Sequence, residues 1–361
     1  MSQRKIAILG IVGVPGQYGG FETLADNLVR YHRDTGRPER LAVYCSAEAF
    51  PERNQDYLSA ELRYLRFGAN GMQSIIYDAV SLFDAVRRGD DTILLLGVSG
   101  ALALPFVRAV SRTRIVTNID GIEWKRKKWT GFPRLVLRWS EWAAVRWSHI
   151  VVADNVAIAE HVLNAYGKEC EVIAYGGDHA KSANPDLRAV DDLPESYALA
   201  LCRIEPENNV AMILEAFEQL NENLVFVGNW SSSKYGRELK VRFENVPNII
   251  LRDSVYEAAH LSAIRDRATA YLHGHSAGGT NPSLVEMMHF GIPVFAYDCN
   301  FNRNTTENKA LYFSDAWELQ QTIRAFEHQD ASKIGSDMQE IAARRYTWEQ
   351  VGKDYFDLLE T

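Results

Sequence analysis

The stretch from His273 to Asp298 constrains this chain more than any other. An apolar run closes at Tyr271 and Leu272, and Ser276, Gly278, Gly279, Thr280 and Asn281 follow as a small polar loop. Pro282 sits where a helix begins, because its missing N–H costs nothing in a first turn. Leu284, Val285, Met287 and Met288 give that helix an apolar face, Gly291 stops it, and Ile292 to Tyr297 predicts a buried strand. A glycine loop leading into a helix leaves backbone N–H groups able to hold an anion, with the helix dipole adding to the attraction. Glu286, one turn into the helix, is positioned to accept hydrogen bonds from a sugar hydroxyl of the same ligand. Loop and carboxylate together suit a nucleoside diphosphate with its ribose; an ordinary strand, turn and helix of an α/β domain is the alternative.

The chain opens in the same way. Lys5 to Val12 is apolar and ends in Gly13-Val14-Pro15-Gly16-Gln17-Tyr18-Gly19-Gly20, and Phe21 to Tyr31 predicts a helix with Leu24, Leu28 and Tyr31 on one face. Gly10, Gly13 and Gly16 are spaced by three, so the dinucleotide pattern G-x-G-x-x-G is absent. Further β-branched runs at Leu62 to Phe67, Thr92 to Leu96, Arg114 to Asn118 and His149 to Val152 alternate with helical stretches, which predicts a parallel sheet. Val172 to Tyr175 closes this half, and the polar residues from Gly176 to Pro194 predict a linker. A second series begins at Tyr197 to Leu201, followed by a Val210 to Leu220 helix and a Leu224 to Gly228 strand. At 361 residues the chain is long enough for two domains. Asp120 and Glu123 follow the Arg114 to Asn118 strand, at the end where open α/β sheets place ligands. Either carboxylate is suited to accept a proton or orient a sugar.

Composition narrows the function. The net charge of −8 argues against bulk nucleic-acid binding. Four scattered cysteines without a CxxC pair predict buried thiols in a reducing compartment. The opening MSQRKIAILG runs straight into a strand, so no secretion signal is expected. Against this acidic background, Trp124 to Trp147 holds five of the eight tryptophans and seven basic residues, among them Lys125, Arg126, Lys127 and Lys128, against Glu141 alone. From Pro133 the pattern is helical, with Leu135, Trp139 and Trp142 on one face. Basic residues interleaved with aromatics, including Trp129, predict an interfacial segment on an anionic membrane. Tryptophans packed under the sheet beside a solvated basic turn are the alternative. His273-Gly274-His275 has metal-like spacing without a partner cluster, and no metal is expected.

The GGTNPSLVE loop, with Gly291-Ile292-Pro293-Val294, resembles the nucleotide-sugar signature of GT-B glycosyltransferases, in particular glycosyltransferase family 4. Glu286 matches the second Glu of that signature, and Gly278 stands where the first Glu is usual. The opening loop is similar too, with Gly19, Gly20 and Glu22 matching its Gly-Gly and following Glu. Arg203 matches a diphosphate-clamping Arg, while Asn208 stands at the position of the usual Lys. The final Tyr346-Thr347-Trp348 helix matches the family's C-terminal segment.

This resemblance implies an α/β GT-B fold: two Rossmann-like domains facing across a cleft, with a C-terminal helix crossing back to the first. The expected boundaries are 1–178 for an acceptor domain, 195–343 for a nucleotide-sugar domain and 344–361 for the helix. It implies Gly19, Gly20, Arg203, Gly279, Thr280, Asn281 and Glu286 as donor-binding residues and Asp120 and Glu123 as catalytic ones. Trp124, Lys125, Arg126, Lys127, Lys128 and Trp129 are expected to meet the acceptor or the membrane. The wording of the opening and GGTNPSLVE motifs resembles bacterial rhamnosyltransferases of capsule and O-antigen assembly. The expected reaction is therefore transfer of rhamnose from dTDP-rhamnose to a lipid-linked saccharide, with retention by a front-face route. The expected place is the cytoplasm, peripherally on the inner face of the plasma membrane. No cofactor beyond the nucleotide-sugar co-substrate is expected, since no Asp-x-Asp occurs. A sugar-nucleotide epimerase of the same architecture is the alternative.

Overall fold

A computed structural model describes residues 3–16, 19–71, 73–125, 131–326 and 328–360. The chain divides into two compact units, Met1–Ala174 with Trp348–Thr361, and Tyr175–Thr347. The polar stretch up to Pro194 therefore belongs to the second unit. Its backbone is tied there, Asp186 N–H donating to the Ala259 carbonyl at 3.1 Å and Ser182 N–H to Ser262 Oγ at 2.9 Å.

The first unit carries an eight-stranded sheet among the described residues. Its strands are β1 (Lys5–Leu9), β2 (Arg40–Ser46), β3 (Asp56–Tyr57), β4 (Ala60–Leu65), β5 (Thr92–Leu96), β6 (Arg114–Asn118), β7 (Ile150–Ala153) and β8 (Glu171–Val172). Their order is β3-β4-β2-β1-β5-β6-β7-β8, parallel except for β3 against β4. Helices α1 (Gly20–Thr35), α2 (Gln73–Arg87), α3 (Leu104–Val110), α4 (Gly131–Trp147) and α5 (Val156–Tyr166) connect them. Ile6 to Leu9 and all of β5 are buried, as continuous apolar runs require in a sheet covered on both faces. The strand predicted to reach Tyr175 pairs only at Glu171 and Val172.

The second unit holds β9 (Ala198–Leu201), β10 (Leu224–Val227), β11 (Ile249–Arg252), β12 (Ala270–His273), β13 (Val294–Tyr297) and β14 (Leu311–Phe313), all parallel, in the order β11-β10-β9-β12-β13-β14. Its helices are α6 (Val210–Phe217), α7 (Lys234–Phe243), α8 (Ala258–Arg267), α9 (Pro282–Met288), α10 (Asn300–Thr305), α11 (Ala316–Ala325) and α12 (His328–Arg345). Both sheets are doubly wound. Strand order reverses between β1 and β5 in one and between β9 and β12 in the other. Such reversal points, at the carboxyl ends of the strands, are where open sheets leave a crevice for ligands.

The last helix, α13 (Trp348–Glu360), returns to the first unit. Phe356, fully buried, stacks on Tyr31 of α1 at 5.8 Å between ring centroids. A side chain on Gly352 would run into the Tyr31 ring, so this approach of α13 to α1 needs glycine. Tyr355, also fully buried, bonds the Asn118 amide at the end of β6 at 2.6 Å. Removing that hydroxyl leaves a buried amide unpaired, which costs about 1–3 kcal/mol. Tyr355→Phe is therefore expected to destabilise the first unit by that amount in denaturant unfolding, and a midpoint equal to wild type contradicts it.

Candidate functional site

The loops after β9 and β12, the neighbours at the reversal point of the second sheet, are built as one piece. Asn208, the residue in the usual Lys position, is buried and points inward, its Nδ2 donating to the Arg203 carbonyl at 2.7 Å. Asn209 Nδ2 donates to the Gly274 carbonyl at 2.9 Å. Ser276 donates through N–H at 3.0 Å and through Oγ at 2.8 Å to the Glu207 carbonyl. A Cβ on Gly274 would collide with the Asn208 carbonyl, so the two backbones meet at closest approach.

Arg203 stands on this platform with its side chain 52 % exposed and Glu205 3.9 Å away. A surface ion pair of that length contributes little, so the guanidinium is available to a ligand. Asn281 caps α9, accepting from Ser283 N–H at 3.1 Å and from Ser283 Oγ at 2.8 Å. Thr280 is buried and Gly279 partly exposed. Gly278 has φ +130°, in the region that favours glycine, and a Cβ there would meet open space. Room for the usual Glu exists; the backbone conformation is what disfavours it.

Glu286 is not an isolated carboxylate. Arg265 of α8 donates to its Oε2, and His179 Nε2 lies 3.5 Å from its Oε1. Burial lowers the His179 pKa, against the pull of Glu286. His179 comes this close because Gly177 abuts α9, where a Cβ would strike the Val285 carbonyl and the Glu286 nitrogen. His179 lies exposed on its loop, and Arg265 belongs to no motif that the sequence displays. His273 is fully buried beside the Tyr271 hydroxyl at 3.3 Å and stacked on His275 at 4.4 Å. Among the described residues no group of three or more His, Cys, Asp or Glu is arranged to hold a metal.

In the first unit, Gly10 lies so near the Leu96 carbonyl that no Cβ fits, which joins the loops after β1 and β5. Gly19 and Gly20 start α1. The Glu22 carboxylate folds back over them, Oε1 accepting from Val12 N–H at 3.0 Å, and its Oε2 occupies the space a Cβ on Gly19 would need. Asp120 follows β6 at φ +61°, its N–H donating to Asn118 Oδ1 at 2.9 Å. Glu123 begins a short 3₁₀ turn, Glu123–Lys125. Asn118 thus joins the Asp120 turn to Tyr355 of α13.

Trp124 is committed to a protein contact. Its indole N–H donates to Glu141 Oε2 at 2.9 Å, and the Arg134 and Arg138 guanidiniums each lie 5.6 Å from its ring. Glu141 is buried and also accepts from the Tyr166 hydroxyl at 2.6 Å. Arg126, Lys127, Lys128 and Trp129 lie outside the described residues, as does the Lys125 side chain. Trp139 and Trp142, however, are 52 % and 48 % exposed, in line with exposed Phe132 and Leu135 along α4. Alongside, α3 exposes Phe106 and Val110.

Residues 3–178, slightly under half of the chain, match the family described as a domain of unknown function, DUF1972. No curated protein sequence matches the chain. Among solved structures it is similar to sucrose-phosphate synthase from Thermosynechococcus elongatus, with TM-score 0.81 and 14 % identity over 99 % of this chain and 98 % of that one. HepE of Anabaena in complex with UDP gives TM-score 0.73 and 16 % identity over 99 % and 100 %. Starch synthase IV of Arabidopsis thaliana, bound to ADP and acarbose, gives 0.72 and 12 % over 100 % and 99 %. The fold is GT-B. No helix among the described residues is long and apolar enough to cross a membrane.

Because the Asn208 amide is spent inside the loop, its loss should matter to the platform as well as to stability. Asn208→Ala is expected to cost about 1–3 kcal/mol in unfolding of the second unit, the penalty of an unpaired buried carbonyl. Wild-type stability in denaturant titration would remove Asn208 from this role.

Proposed function

We propose that this chain is a nucleotide-sugar-dependent glycosyltransferase. The observation that carries the reading is the pair of stitched loops at the β9/β12 reversal point, which together present an exposed Arg203, a glycine loop and Glu286. Arg203 binds the donor diphosphate, since a guanidinium makes paired bonds to phosphate oxygens and keeps its charge. Backbone N–H groups of Gly279, Thr280 and Asn281 supply further donors, and Glu286 accepts from ribose. The bond from the sugar's anomeric carbon to the diphosphate breaks as one to the acceptor oxygen forms. The acceptor's proton passes to Asp120, Glu123 or the leaving phosphate. The named neighbours in complex with UDP, UDP-glucose and ADP support a nucleotide donor.

The finer reading rests on the resemblance to family 4 and to rhamnosyltransferases: rhamnose from dTDP-rhamnose, transferred with retention to a lipid-linked saccharide, without added metal. Gly19 and Gly20 border the donor and acceptor. Incubation with dTDP-rhamnose and a lipid-linked acceptor tests it, since an epimerase converts the nucleotide sugar with no acceptor present. Arg203→Ala is expected to weaken donor binding by about 1.5–3 kcal/mol in calorimetry, the range for hydrogen bonds to charged groups. Unchanged affinity would take Arg203 out of the site.

The membrane reading passes from Trp124 to Trp139, Trp142, Phe132 and Leu135 of α4 and Phe106 and Val110 of α3, whose exposed apolar and aromatic side chains suit a lipid interface. Arg134, Arg138, Arg146 and Arg108 add positive charge on the same two helices, each worth about 1 kcal/mol near an anionic surface. Trp139→Glu combined with Trp142→Glu is expected to abolish co-sedimentation with anionic vesicles while leaving nucleotide affinity unchanged. Retained sedimentation would assign the patch another purpose.

A further inference from the structure

We propose that Arg265 is a positioning residue for the donor: it holds one oxygen of the Glu286 carboxylate so that the other remains for the ribose hydroxyls. The proposal rests on the reading of Glu286 as the ribose ligand. Arg265 touches neither the diphosphate nor the transferred sugar in this scheme and acts through Glu286.

The geometry is specific. Glu286 sits on α9, a helix of seven residues, and its flexible side chain is 12 % exposed. Left alone there, a carboxylate would be poorly solvated and spread over several rotamers. Arg265 is 6 % exposed and approaches from a different helix, α8, so it fixes the carboxylate from outside its own element. The Arg265 Nε is buried and has no hydrogen-bond partner. A guanidinium placed by a ring of acceptors would satisfy that N–H; this one is aimed at Glu286. Charge attraction is stronger where water is excluded, and removal of one partner leaves the other charge uncompensated.

The second oxygen is kept differently. Oε1 faces His179 Nε2 at 3.5 Å, too long for a strong bond. Desolvation lowers the His179 pKa, which weakens its hold on the second oxygen as a cation. One oxygen is thus held by Arg265, and the other has only a longer contact that a ligand hydroxyl can replace.

The experiment compares nucleotides with and without sugar hydroxyls. UDP and dTDP, each beside its 2′,3′-dideoxy counterpart, are titrated calorimetrically into wild type, Arg265→Met, Arg265→Lys, Glu286→Gln and the double variant Arg265→Met/Glu286→Gln. Wild type is expected to prefer the hydroxyl-bearing nucleotide about tenfold or more, the size of a hydrogen bond to a charged group. Arg265→Met and Glu286→Gln should each lose that preference, Arg265→Lys should keep part of it, and the double variant should be no worse than either single one, as coupled residues behave. Arg265→Met weakening both nucleotides equally, with the preference intact, overturns the proposal and leaves Arg265 a stabilising role alone. Should Arg265→Met fail to fold, Arg265→Lys decides alone: part of the preference lost supports the proposal, and a full wild-type preference overturns it. If wild type shows no preference, or binds neither nucleotide, the ribose reading of Glu286 falls first and Arg265 with it.

Discussion

The structure depends on two places where backbones meet with no room for a side chain. In the first sheet Gly10 lies against the Leu96 carbonyl, and in the second Gly274 lies against that of Asn208. Each contact joins the two loops that flank a reversal of strand order. Such loops would otherwise diverge, because the helices that follow them lie on opposite faces of the sheet. Glycine lets them converge, and convergence lets side chains from distant parts of the sequence share one surface. In the second unit this brings Arg203 of one loop onto a platform tied to residues 274–276 of the other.

A second dependence runs through the C-terminal helix. The chain leaves the first unit at Ala174 and re-enters it at Trp348. Without α13 the Asn118 amide would lose the Tyr355 hydroxyl, and the same amide turns the backbone at Asp120. A residue more than two hundred positions away thus orders the turn that carries a candidate catalytic carboxylate. Phe356 and Gly352 settle α13 against α1, so the helix is a load on the fold of that unit as well as on its site.

How much of this the residues disclosed depended on the range of the interaction. Local signals were legible: apolar runs ending in glycine, Pro282 at a helix start, Gly291 at its end, and the alternation that yields two parallel sheets. The exposed face of α4 was legible too, since Leu135, Trp139 and Trp142 recur at helical spacing. Pairings between distant elements were not. Nothing around Trp124 tells that its indole turns to Glu141 rather than to lipid, because Glu141 reads as one more helix-surface acid. Asn208 was read as a missing cation, whereas its amide is consumed in closing the loop on the Arg203 carbonyl. Glu286 predicts a carboxylate facing a ligand, and the cation that faces it comes from a helix whose sequence carries no motif.

That hidden cation bears on the charge balance of the donor site. A nucleoside diphosphate is an anion, and in the proposed site an unpaired carboxylate beside its ribose would repel it. There, repulsion between like charges is stronger than in water. On the proposed reading, the Arg265 charge opposes that of Glu286 while one carboxylate oxygen is left for hydroxyls. Arg203 and the amides of residues 279–281 meet the ligand's charge, on the same reading, while Arg265 faces that of Glu286. Asn208, closing the loop under Arg203, and Arg265, facing the Glu286 carboxylate, then both serve the proposed site from inside the fold.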